Sequence, residues 1–213
     1  MHRKKAIQSH YESRISPGRE NYDVLDWADP TAQRVRFRIL AENVDLTGKT
    51  LLDLGCGLGD LRAYLSGRKI RVDYTGVDIA AKIVALARRQ QPDARFECAD
   101  IIGQDLFGGR RFDVVFCSGV FNLDLGNNLE FLPEALGRMV ELSRDLVVFN
   151  LLHCRAEEKW PGYFYYDPAE VLSILRQFPC RARLIDDYLP NDFTVICKLI
   201  RPAEGRSAKG NHE

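Results

Sequence analysis

The 213-residue chain has no C-x-x-C cysteine pair, no internal repeat, no low-complexity tract in its interior and no net charge, since 30 basic side chains balance 30 acidic ones. Each absence excludes something. Without a surplus of positive charge there is no general electrostatic pull toward nucleic acid or an anionic membrane, so a polyanionic partner needs a local patch. No apolar run approaches the roughly 18 residues of a membrane span. The start MHRKK runs into IQSHYES with no apolar core for a signal peptide, and a cytoplasmic location is expected. The six cysteines lie far apart, five of them in apolar or strand-like surroundings, which predicts buried free thiols rather than disulfides or zinc ligands. No Pro/Gly/Ser-rich linker splits the chain, and one domain is expected. What is present, 46% hydrophobic and 28% charged residues, is the composition of a packed domain long enough to bury a core without staples.

Residues 1–28 are polar yet carry Tyr11, Tyr22, Leu25 and Trp27, too many large apolar groups for a solvated tail. They are expected to pack on the domain as an arm. Asp29-Pro30 offers an N-cap and a first-turn proline to a helix striped by Phe37, Leu40 and Val44. Its Arg34, Arg36 and Arg38 are read as solvated, with only Arg34 and Arg38 on a common face. From residue 49 onward, short apolar runs at 50–54, 72–77, 94–98, 112–117 and 146–152 alternate with helical stripes at 60–66, 80–89 and 133–142. Buried strands alternating with helices predict an α/β fold: a doubly wound, Rossmann-like, mostly parallel sheet. Asp167-Pro168 opens a further helix, and runs at 181–188 and 193–200 around a short turn predict a terminal antiparallel β-hairpin, making seven strands. The polar residues 203–213 are expected to be disordered.

Chemistry concentrates in Leu51-Leu52-Asp53-Leu54-Gly55-Cys56-Gly57-Leu58-Gly59-Asp60, a buried strand running into a glycine-rich turn and a helix. Such a turn lets a ligand approach the backbone at the carboxyl end of the first strand, where an open sheet forms its crevice. An NAD fingerprint wants a third glycine at position 60, which is Asp60. A carboxylate there opposes a pyrophosphate, whereas G-x-G-x-G with an acid two residues before it suits a phosphate-free ligand with a cationic head.

This segment resembles the first motif of the class I S-adenosylmethionine-dependent methyltransferases, and the order of elements from Lys49 to Ile200 is similar to that family's. The resemblance implies that Asp78, in Gly76-Val77-Asp78-Ile79, offers both carboxylate oxygens to the ribose diol. It implies that Asp100 accepts from the adenine amino group with Ile101 packed on the ring, and that the strand ending at Ser118 passes under the methionine part. The implied cofactor site is therefore Asp53, Gly55, Cys56, Gly57, Gly59, Asp78, Ile79, Asp100, Ile101 and Ser118, with Tyr11 from the arm. S-adenosyl-L-methionine is the implied methyl donor and S-adenosyl-L-homocysteine the product. Residues 1–45 are expected to cover this site, and residues 46–202 to form the methyltransferase-like domain.

The place of the amine-methylating (Asp/Asn/Ser)-Pro-Pro-(Tyr/Phe) motif is filled by Ser118-Gly119-Val120-Phe121, and no cluster of acids suggests a metal. The aromatic run 160–166 follows the fifth strand, a connection that in this family commonly borders the acceptor. Asn122, Asn150, His153, Tyr163 and Tyr166 are the candidate acceptor contacts, with His153 and Tyr166 the candidate bases. With zero net charge and no appended module, a small-molecule acceptor is expected and nucleic acid is not. A methyltransferase acting on RNA or protein, a non-catalytic S-adenosylmethionine-binding module, aminopropyl transfer and an NAD-dependent oxidoreductase, against which Asp60 argues, stay open, as do the accepting atom and the oligomeric state.

Overall fold

A computed structural model describes residues 2–100, 102–103 and 106–201, so Ile101 and the tail 203–213 lie outside the described residues. The arm is helical rather than irregular: α1 (His2–Glu12) and the single turn α2 (Asn21–Val24) precede α3 (Pro30–Asn43). Asp29 starts α3 by accepting the backbone N–H groups of Thr31 and Ala32 at 2.6 and 2.8 Å, and Pro30 occupies a position whose N–H has no helical partner. Strand and helix then alternate through β1 (Thr50–Leu54), α4 (Asp60–Gly67), β2 (Asp73–Asp78), α5 (Ala81–Gln90) and β3 (Arg95–Cys98). They continue through β4 (Phe112–Ser118), α6 (Asn128–Leu142), β5 (Ser143–Leu152), α7 (Pro168–Leu175), β6 (Cys180–Ile185) and β7 (Asp192–Leu199).

The seven strands form one sheet in the order β3-β2-β1-β4-β5-β7-β6. The first five are parallel, and β7, the last strand among the described residues, runs antiparallel to both neighbours and is inserted between β5 and β6. This is the expected α/β architecture. Each face is covered by helices: Leu52, Val115, Phe149 and Val195 pack under α6 and α7, while Leu51, Val114, Phe116 and Val148 pack under α3, α4 and α5. Strand order reverses at β1/β4, and the carboxyl ends of both strands open onto one edge, the switch point at which open sheets form their crevice.

Several expectations need correction. The helix expected over 133–142 begins at Asn128 and keeps Pro133 inside it, near the solvent-exposed Leu129 whose carbonyl loses its helical partner. β6 stops at Ile185 because residues 186–190 turn around Arg155, whose guanidinium donates to the carbonyls of Asp186 and Pro190. Arg36 is buried rather than solvated, 4% exposed, and pairs with Asp192 on β7, itself 1% exposed. All six cysteines are free, but Cys56, Cys117 and Cys197 alone are buried and Cys98 is exposed.

Candidate functional site

A cavity opens at the switch point. β1 and its turn contribute Asp53, Gly55, Cys56 and Gly57; the end of β2 contributes Asp78 and Ile79; Asp100 follows β3, Ser118 ends β4 and Asn122 follows it. The arm closes it with Tyr11, Leu25, Asp26 and Trp27, and Tyr163 stands opposite them.

The turn after β1 is built for close approach. Gly57 has φ +54°, and a Cβ there would meet Leu25 Cδ1 of the arm at 2.7 Å. Its N–H donates to Asp78 Oδ2 at 3.0 Å, while Asp78 Oδ1 accepts from Ala80 N–H at 2.9 Å, so each oxygen keeps capacity for a second donor. Burial raises the Asp78 pKa against these backbone bonds. Asp53 accepts from the Tyr74 hydroxyl at 2.7 Å, and burial pushes its carboxyl up to about 7. Tyr11 is kept neutral by burial and by the carboxylates Asp78 and Asp26. Asp60 accepts from Asn21 at 2.6 Å and Gln33 at 3.2 Å, so this carboxylate ties the arm and α3 to the start of α4.

Four expected residues are not brought to the cavity. Gly59 packs inward: its Cβ would strike Phe96 at 2.7 Å. His153 lies against Phe193, its Nδ1 accepts from Arg155 N–H at 3.1 Å, and burial followed by Arg155 lowers its pKa, so it faces the β7 side. Tyr166 is a strut whose hydroxyl donates to the Phe121 carbonyl at 3.1 Å and accepts from Asn128 at 3.2 Å, with burial raising its pKa to about 12. Asn150 is buried and hydrogen-bonded to Asp192. Neither candidate base lines the cavity.

Residue pattern alone missed the wall supplied by Asp26, Gln33 and Phe37, and that of Phe131, Ala135 and Met139 on α6. Trp27 stacks under the Arg36 guanidinium at 4.6 Å and crowds Gly119, where a Cβ would meet its ring at 3.0 Å. The loop carrying Tyr163 is strapped to the 121–124 segment: Phe164 N–H donates to the Asn122 carbonyl and Asp124 N–H to the Gly162 carbonyl, both at 2.8 Å.

The donor set suits a ligand of definite chemistry. Among the described lining residues the charged groups are Asp26, Asp53, Asp78, Asp100 and Lys4, with no arginine. Acids arranged around glycines fit a ligand with a cationic head and donating hydroxyls and reject a phosphate. Ser118 Oγ, buried with no partner, offers one more polar contact.

Known proteins agree with this chemistry. A family model described as a methyltransferase domain matches residues 51–145. Rv1506c of Mycobacterium tuberculosis, named as a methyltransferase, is 30% identical over 156 residues, 68% of this chain and 90% of the relative. The ubiquinone biosynthesis O-methyltransferase of Coxiella burnetii is 30% identical over 199 residues, 84% of this chain and 72% of the relative. In fold the chain is similar to magnesium protoporphyrin IX methyltransferase from Synechocystis PCC 6803, solved with bound S-adenosylhomocysteine. That likeness has a TM-score of 0.69 at 16% identity and covers 92% of this chain and 100% of that one.

Proposed function

The chain belongs to the class I S-adenosylmethionine-dependent methyltransferases, and on that premise we propose that it methylates a small molecule held between the cofactor and the Trp27–Tyr163 side of the cavity. The observation that carries this reading is the arm's cover over the site. α1 docks beside the end of β2 and on α5, with Gln8 donating to the Ile79 carbonyl at 2.7 Å and Lys82 N–H donating to Glu12 at 3.2 Å, and Tyr11, Leu25 and Trp27 of the arm line the cavity, which narrows its opening to a long polymer. A balanced charge gives no hold on a polyanion. Two of the similar proteins, the ubiquinone biosynthesis and protoporphyrin enzymes, carry small-molecule names.

In this reading Asp78 holds the ribose hydroxyls, Asp100 the adenine amino group, and Asp53 with the Gly55–Gly57 backbone the amino-acid head. S-adenosylmethionine supplies a sulfonium-activated methyl group. The protein's part is to align and desolvate: Trp27, Val120 and Phe121 exclude water from the transfer path, and fixed alignment alone supplies up to roughly 7–11 kcal/mol. The arm, residues 1–45, orders the cofactor by covering it.

Calorimetry tests the assignment. S-adenosylhomocysteine should bind and NAD should not; Asp78→Ala removes two charge-assisted hydrogen bonds of about 1.5–3 kcal/mol each and should weaken binding at least tenfold. Unchanged affinity in a folded variant places the ribose elsewhere. Transfer of labelled methyl from the cofactor to a metabolite extract, but not to bulk RNA or protein, tests the acceptor class.

A further inference from the structure

With His153 and Tyr166 away from the cavity, the acceptor side still holds two titratable residues in contact with each other. The Tyr163 hydroxyl donates to Asp26 Oδ2, and both residues line the cavity. Asp26 is one of only two non-glycine residues with positive φ among those described, at +61°, a conformation that costs energy and is kept where surroundings enforce it. Three groups enforce it here. His10 Nε2 lies 2.8 Å from Asp26 Oδ2, Arg14 pairs with Oδ1, and Tyr163 reaches across from a loop 137 residues away in the chain. A carboxylate on a strained turn, fixed from both sides, presents a phenol to the chamber.

We propose that Tyr163 is the catalytic group that takes the acceptor's proton, positioned and relieved of its own by Asp26, and that the acceptor therefore presents a hydroxyl or amine and not a carboxylate. This rests on the small-molecule reading above. As the acceptor oxygen or nitrogen forms its bond to the methyl carbon, the carbon–sulfur bond breaks with its electron pair going to sulfur. The acceptor's proton passes to Tyr163 Oη while the phenolic hydrogen passes to Asp26 Oδ2, beside His10. The groups facing this pair are His10, Tyr11 and Arg14 of the arm. Burial and the Asp26 carboxylate keep Tyr163 protonated until then. A carboxylate acceptor would need no base and would need a cation. The lining cation among the described residues is Lys4, exposed at the mouth, and the Arg36 guanidinium is engaged by Asp192 behind the Trp27 ring.

The test uses the full chain, labelled S-adenosylmethionine and separate pools of phenols and alcohols, amines, and carboxylic acids from a metabolite extract. Label should enter the hydroxyl or amine pools. With the acceptor so found, Tyr163→Phe should lower kcat about 10²-fold, with the deficit shrinking as pH nears the acceptor's own pKa. Asp26→Asn, which tolerates positive φ, should lower kcat in the same direction, and the double variant should be no slower than Tyr163→Phe. S-adenosylhomocysteine affinity, followed by Trp27 fluorescence in a Trp160→Phe background, should stay within about threefold. Label in carboxylic acids alone overturns the proposal. So does a variant pair that speeds S-adenosylhomocysteine release yet leaves kcat unchanged, since that is a latch and not a base. Label in no small molecule, with S-adenosylhomocysteine still bound, is a separate outcome: it removes the small-molecule reading and this assignment falls with it.

Discussion

At the residue scale, the buried carboxyl of Asp53, supported by the Tyr74 hydroxyl, titrates near 7 rather than near the ordinary carboxylate value of about 3.9. A raised folded-state value means the stability it contributes is fully present below about pH 4 and is lost as pH rises through about 7. Ionised Asp53 therefore opposes folding at pH 8 while attracting a cationic ligand head. Asp53→Asn should raise Tm at pH 8 by a few degrees, with the gain shrinking through pH 5 and vanishing below about pH 4, and should weaken S-adenosylmethionine binding. Parallel thermal scans and titrations at these pH values check this, and a variant that melts lower at pH 8 refutes it. Asp53 and Asp78 were legible because each stands at or next to the carboxyl end of a strand within a recognisable motif. Asp26 was not, because nothing local marks an aspartate that a distant phenol and the arm's His10 and Arg14 hold at positive φ.

At the element scale, α3 shows how a polar residue can hide a correct pattern. Positions 33, 36, 37, 40 and 44 form one helical stripe, so Arg36 was placed to face inward, yet its charge argued for solvent. Its partner Asp192 lies 156 residues away on β7, a contact no local spacing reveals. Tyr188 and Asn150 add hydrogen bonds to Asp192, whose pKa burial nonetheless raises. Arg36→Leu leaves this carboxylate buried without its cation and should cost about 3–5 kcal/mol at pH 8. The loss should shrink toward pH 5, where Asp192 can take a proton instead; denaturant unfolding at the two pH values measures it. A cost independent of pH would mean that the lost packing on Trp27, not the charge, decides. The alternation of strands and helices was legible because burial on both faces writes continuous apolar runs, whereas α1 and α2 were not, since their polar sequences gain order from the surface beneath them.

For the whole molecule, the sheet and its two cores are built almost entirely from residues beyond 30, and the arm adds Val24 with Tyr11, Ile15 and Leu25 to a small satellite cluster. Removing residues 1–28 should leave a cooperatively folding sheet while weakening S-adenosylhomocysteine binding at least tenfold; equal affinity in the truncated protein would show the arm to be a bystander. The inserted strand has a different consequence, in the order of synthesis. β1 to β5 can pair as they leave the ribosome, but β5 carries an open hydrogen-bonding edge until β7, made after β6, arrives between the two. A chain stalled before residue 192 thus holds a nearly finished sheet with Val147 and Phe149 on an uncapped strand, an edge open to pairing with another copy until β7 is made.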